Sequence, residues 1–186
     1  MSFRFQAEFR SEITGDRLSG HAAVFGTLAE LPAHYEQLAR SAFDEALSGD
    51  PDVKALVNHD PSMVLGSTRG KTLRLEVDNR GLAFEVDLPD TSYARDLKEL
   101  VARNDITAMS FGFLPGKDEW SRGPNGRQVR THTSVKRLVD ISPVAYPAYE
   151  GTEVFLRSMP DAQIVPLTPR GQLIRLRAAR LLREVK

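Results

Sequence analysis

Residues 105–115 read DITAMSFGFLP. Ile106, Ala108, Ser110 and Gly112 alternate with Thr107, Met109, Phe111 and Phe113, a period of two that predicts a β-strand. One face of this strand is bulky and apolar. The other carries small residues and a single hydroxyl, which suits either close packing or a surface kept clear for a substrate.

The flanking segments place this strand in an α+β chain. On its N-terminal side TSYARDLKELVARND, from Thr91, has the stripe Tyr93, Leu97, Leu100 and Val101, and predicts a helix over 91–103 with Thr91 as its cap. Before it, KTLRLEV and GLAFEVDLP are joined by Asp78-Asn79-Arg80-Gly81, a hairpin signature. On the C-terminal side SRGPNGRQ, 121–128, reads as a turn, and RTHTSVKRLVDISPV as one long strand closed by Pro143 and Pro147.

Further out, SFRFQAEFR and GHAAVFGTL predict strands. SAFDEALSG predicts a short helix capped by Ser41 and ended by Gly49. DVKALVNHD predicts a strand that ends at Asn58-His59-Asp60 and is stopped by Pro61. From Ser158 the composition changes. SMPDAQIVPLTPR holds three prolines in thirteen residues, and RGQLIRLRAARLLREVK predicts a separate basic amphipathic helix. The expected division is therefore a main domain over 1–157 and a tail over 158–186.

Composition bounds the chemistry. The chain has 186 residues, enough for one domain with a substantial core. Acidic and basic residues balance at 25 each, so net charge gives no drive toward nucleic acid. Cysteine is absent, which excludes disulfides, thiol catalysis and cysteine-ligated zinc. No apolar run has the ~20 residues that span a bilayer, and the N-terminal MSFRFQAEFR lacks the apolar stretch of a signal peptide, so the expected location is the cytoplasm.

Three residues stand out as candidates. His59 falls where a strand is expected to end, a position where scaffolds hold reactive groups; it also reads as a capping or surface histidine. Ser110 reads either as a nucleophile or as a small strand residue bonded to a neighbour. Asp140 lies among Leu138, Val139 and Ile141, so its carboxylate needs either a task or an ion pair such as one to Arg137. Together they supply a nucleophile, a base and an orienting acid. A metal-dependent reading through His59, Asp60 and His132 lacks any tight ligand spacing.

NHD at 58–60, ITAMSFGF at 106–113 and LVDISPVAYPAY at 138–149 resemble the sequence blocks of the tailed-phage prohead maturation proteases, serine peptidases similar in fold to the herpesvirus assemblins. GHAAVFGT at 20–27 and the helix over 91–103 add to a likeness that spans residues 3–157. The resemblance implies a β-barrel-like core of mostly antiparallel strands flanked by helices. It also implies His59 as base, Ser110 as nucleophile and Asp140 as third member. Because the assemblins use a second histidine there, His132 competes for that place. The oxyanion donor would come from a region comparable to Gly151, Thr152 and Arg157.

The implied activity is an endopeptidase that cuts scaffold, or a scaffold-like arm of the major capsid protein, and itself, within the assembling prohead in the host cytoplasm. Its implied partners are that substrate and further copies of itself in a dimer or higher oligomer, with no nucleic acid, membrane, metal or cofactor. The competing expectation is a non-catalytic, capsid-associated β-barrel module.

Overall fold

A computed structural model describes residues 12–146 of the chain. The expected strand at 2–10, the Gly151–Arg157 region, the 157/158 boundary and the basic C-terminal helix lie outside them. Strands β1 (Glu12–Thr14), β2 (Arg17–Val24), β3 (Ala29–Glu30), β4 (Tyr35–Leu38), β5 (Lys54–Val57), β6 (Asp60–Ser67), β7 (Leu73–Val77) and β8 (Gly81–Asp87) precede helix α1 (Ser92–Ala102). Strands β9 (Ala108–Pro115), β10 (Asp118–Arg122), β11 (Gln128–His132) and β12 (Val135–Val144) follow it. The architecture is α+β and strand-rich, with one α-helix among the described residues. No helix there is long and apolar enough to cross a membrane.

The strands form three four-stranded sheets, ordered β1-β2-β8-β7, β10-β11-β4-β3 and β6-β5-β12-β9. Pairing is antiparallel except for β11 with β4 and β12 with β5. No closed barrel is formed among the described residues, which corrects the barrel-like expectation: the hydrogen-bonded ladders end at sheet edges instead of continuing around a ring. Leu18, Phe43, Leu82, Leu97, Phe113, Leu138 and Ile141, all essentially inaccessible, share one core.

Several elements follow their sequence signals. The β7–β8 hairpin closes where Asp78 Oδ1 accepts the backbone N–H groups of Arg80 and Gly81 at 2.7 and 2.8 Å. Asp78 Oδ2 also meets His21 Nε2 at 2.7 Å. The His21 ring is the main reason that the Asp78 carboxyl lies low, at about 2. Helix α1 buries Ala94, Leu97 and Val101, positions three and four apart on one face, while Leu100 lies off the stripe and stays exposed. Thr91 occupies the cap position but its side chain caps nothing.

Three local expectations fail. Residues 41–47 form successive turns, and Ser41 Oγ donates to Thr133 O at 3.1 Å, so the hydroxyl expected to cap a helix ties the segment to β11's exit. RTHTSVKRLVDISPV is two strands: β11 and β12 separate at Thr133-Ser134 and enter different sheets. Pro61 does not stop a strand, because the chain has already reversed at Asn58-His59. Pro61 sits in edge strand β6, where the pairing jumps from Val57↔Asp60 to Leu56↔Val64 and needs no N–H from it.

Candidate active site

The site is assembled on the sheet β6-β5-β12-β9. Asn58 and His59 link Val57 to its partner Asp60 with positive φ at both residues, 49° and 57°, the pattern of a two-residue type I′ hairpin turn. This left-handed backbone is uncommon for residues other than glycine, although asparagine and histidine tolerate it better than most. The turn is clamped to β12. Asn58 N–H donates to Pro143 O at 3.0 Å, and Asn58 Oδ1 accepts from Ala145 N–H at 3.1 Å. The clamp fixes where the His59 ring projects.

Asp140 reaches that ring through an irregularity in β12. Leu138 faces Phe113, but the pairing slips by one residue and Asp140, not Val139, faces Gly112. Directly opposed residues of an antiparallel pair share a face. The slip therefore separates Leu138, on the bulky face of β9 with Phe113, from Asp140 and Ser142, on the small face with Gly112 and Ser110. Strict alternation would have left Leu138 and Asp140 together.

With the proton on Nδ1, His59 donates to Asp140 Oδ2 at 2.6 Å. Ser142 Oγ–H donates to the same oxygen at 2.8 Å. The His59 backbone N–H in turn donates to Ser142 Oγ at 3.2 Å. Asp140 is buried and the His59 side chain is 19% exposed, so one ring nitrogen is engaged inward while the ring stays reachable. Such a pairing orients the imidazole and offsets the charge it acquires on taking a proton. The ion pair to Arg137 considered from sequence does not form; Arg137 acts electrostatically on Asp52 instead.

Ser110 is buried on β9, directly across from Ser142. Its hydroxyl has no hydrogen-bond partner among the described residues. The small face of β9 has a different purpose at Gly112 than sequence suggests: a Cβ there would collide with Asp140 Oδ1. The cleared space at 112 is occupied by the acid, not kept for a substrate.

His132 is elsewhere. It is buried in the sheet β10-β11-β4-β3, with Nδ1 at 2.7 Å from Asp118 Oδ1 and its ring edge-on to Phe113, on the face of β9 opposite to Ser110. The structure thus brings Asp140, not His132, to His59. Asp60 turns to Ser62, whose side chain and backbone both donate to it and hold its carboxyl below the ordinary range. Among the described residues no group of His, Asp and Glu side chains is arranged to hold a metal, so His59, Asp60 and His132 do not form the ligand set considered from sequence. Sequence reasoning missed Ser142 and Asn58, since a serine before a proline and an asparagine at a strand end signal turns and nothing local shows what they bond.

The described residues thus form a strand-rich α+β scaffold that holds Ser110, Asp140 and the His59 turn on one sheet. Residues 5–163 match the family model of the caudovirus prohead serine protease, and the chain belongs to that family. It is accordingly a serine peptidase of phage capsid maturation, acting within the assembling prohead. No curated protein and no solved structure matches the chain.

Proposed function

We propose that His59, Ser110 and Asp140 are the catalytic residues of an endopeptidase that cuts scaffold, or a scaffold-like arm of the major capsid protein, and itself. The observation that carries this reading is the hydrogen bond from His59 Nδ1 to Asp140 Oδ2 at 2.6 Å, on the sheet whose strand β9 presents Ser110. In this mechanism His59 Nε2 takes the proton of the Ser110 hydroxyl as Oγ bonds to the scissile carbonyl carbon. Asp140 stays ionised and stabilises the imidazolium. The tetrahedral intermediate collapses as His59 passes that proton to the leaving amine, and an acyl ester on Ser110 remains. Water attacks the ester while His59 takes its proton, then returns it to Ser110 Oγ as the acid product leaves. Catalytic hydrogen bonds are often long or poorly aligned in unliganded enzymes and tighten with substrate, and this reading expects the bond from Ser110 to His59 to form as the peptide seats.

The test is co-expression of the full chain with its major capsid protein, followed by mass spectrometry of both. Trimming by the parent and none by Ser110→Ala is expected. Equal trimming by both removes Ser110 from the reaction; trimming by neither leaves the chain a structural module of the capsid.

A further inference from the structure

Ser142 is completely buried and stands opposite Ser110, yet it has no place in the reaction steps above. Its hydroxyl joins the two halves of the site. It accepts the His59 backbone N–H at 3.2 Å and donates to Asp140 Oδ2 at 2.8 Å, the oxygen that also receives His59 Nδ1–H. Its one donor and one of its two acceptor lone pairs are thus engaged between the base and the acid.

A carboxylate oxygen held by one donor can swing about its Cβ–Cγ bond; two donors from different directions remove that freedom. Gly112 leaves room for the other oxygen, because a Cβ at 112 would collide with Asp140 Oδ1. We propose that Ser142 is a positioning residue that fixes Asp140 and the His59 turn in one arrangement so that Ser110 can be activated, an inference that rests on the catalytic reading above.

The anchorage of the turn does not depend on this hydroxyl alone. Asn58 makes its own two bonds, to Pro143 in β12 and to Ala145 just after it, so Ser142→Ala should keep the hairpin docked. What it loses is a donor to a buried carboxylate and an acceptor for His59 N–H.

Two readouts on the full chain test this. The first is the rate at which a fluorophosphonate labels Ser110, located by mass spectrometry. The second is the imidazole Nδ1–H proton resonance of His59, which a short bond to a carboxylate moves to low field. Ser142→Ala should label roughly ten-fold more slowly, the worth of one hydrogen bond to a charged group. Its low-field resonance should move upfield or broaden, while Ser142→Cys, which keeps the size and a weak donor, falls between alanine and the parent.

A folded Ser142→Ala with the parent's labelling rate overturns the inference. So does slow labelling with an unmoved resonance, which marks a merely structural role. If alanine does not fold, cysteine decides by the same readouts, and failure of both to fold also overturns it. The catalytic reading fails separately: then the parent does not label at Ser110, or Ser110→Ala labels equally fast.

Discussion

Of the three histidine–aspartate hydrogen bonds among the described residues, His59 to Asp140 at 2.6 Å and His132 to Asp118 at 2.7 Å are nearly equal in length but have different surroundings. The first joins a hairpin turn to a neighbouring strand, with the imidazole 19% exposed. The second is closed in on every side. The His132 side chain is 2% exposed, and Nε2 stands 3.6 Å from Glu36 Oε2, each atom buried without a hydrogen-bond partner. Arg130 binds Asp118 and reaches Glu36 Oε1 at 3.3 Å, while His34 meets the same Oε1 at 3.0 Å. A histidine bonded to a carboxylate is therefore no sign of catalysis by itself. General-base work also needs a second ring nitrogen that substrate and nucleophile can reach.

Mutations at the two pairs should separate chemistry from stability. The largest effect is expected for Ser110→Ala: peptide cleavage should fall by ~10⁶, as loss of the nucleophile does in a comparable serine protease, while thermal unfolding changes little because alanine suits the small face of β9. Asp140→Asn keeps the volume and removes the charge, and a drop of ~10⁴ in turnover is expected. His132→Ala should keep most activity per folded molecule. A crippled His132→Ala beside a near-normal Asp140→Asn would exchange the roles of the two pairs.

Gly112→Ala comes next. Its Cβ would push Asp140 Oδ1 away from its seat, and a displacement of ~1 Å at a catalytic group lowers rates by ~10². Normal rates for a folded Gly112→Ala would show that the acid has slack.

The buried pair should respond in stability. His132→Ala removes a packed ring and a hydrogen bond to Asp118, a loss of about 2–3 kcal/mol measurable by urea unfolding. The smallest effect concerns pH. Burial pushes the Glu36 carboxyl up, but the His132 and His34 rings and Arg130 outweigh it and hold the group below its ordinary 4.5. A depressed folded value means that the stability Glu36 contributes is complete above the unfolded value and is lost as pH falls through the folded one. The urea midpoint of Glu36→Gln should accordingly decline less steeply on acidification below that range than the parent's. An identical acid limb in both would show that Glu36 contributes nothing by its charge.

Much of the frame was legible from local pattern. The two faces of β9, the β7–β8 hairpin and helix α1 each rest on signals within one segment: alternation, an Asx turn, a stripe three and four residues apart. The misreadings have a common cause. SAFDEALSG has helical composition, yet Ser41 spends its hydroxyl on Thr133, a residue 92 positions away. RTHTSVKRLVDISPV alternates well enough for one strand, and only the partners waiting on two sheets divide it.

The candidate site divides along the same line. Residue type and resemblance were enough to single out His59, Ser110 and Asp140, because a hydroxyl on a small strand face and a carboxylate among apolar neighbours are visible in the chain itself. Their arrangement came only with the folded chain. Asp140 meets a histidine 81 positions away because β12 slips by one residue at Val139 and the turn at Asn58-His59 takes a left-handed path. A one-residue slip exchanges the faces of a strand without any local mark in the sequence, since its cause lies in the partner strands that it must match.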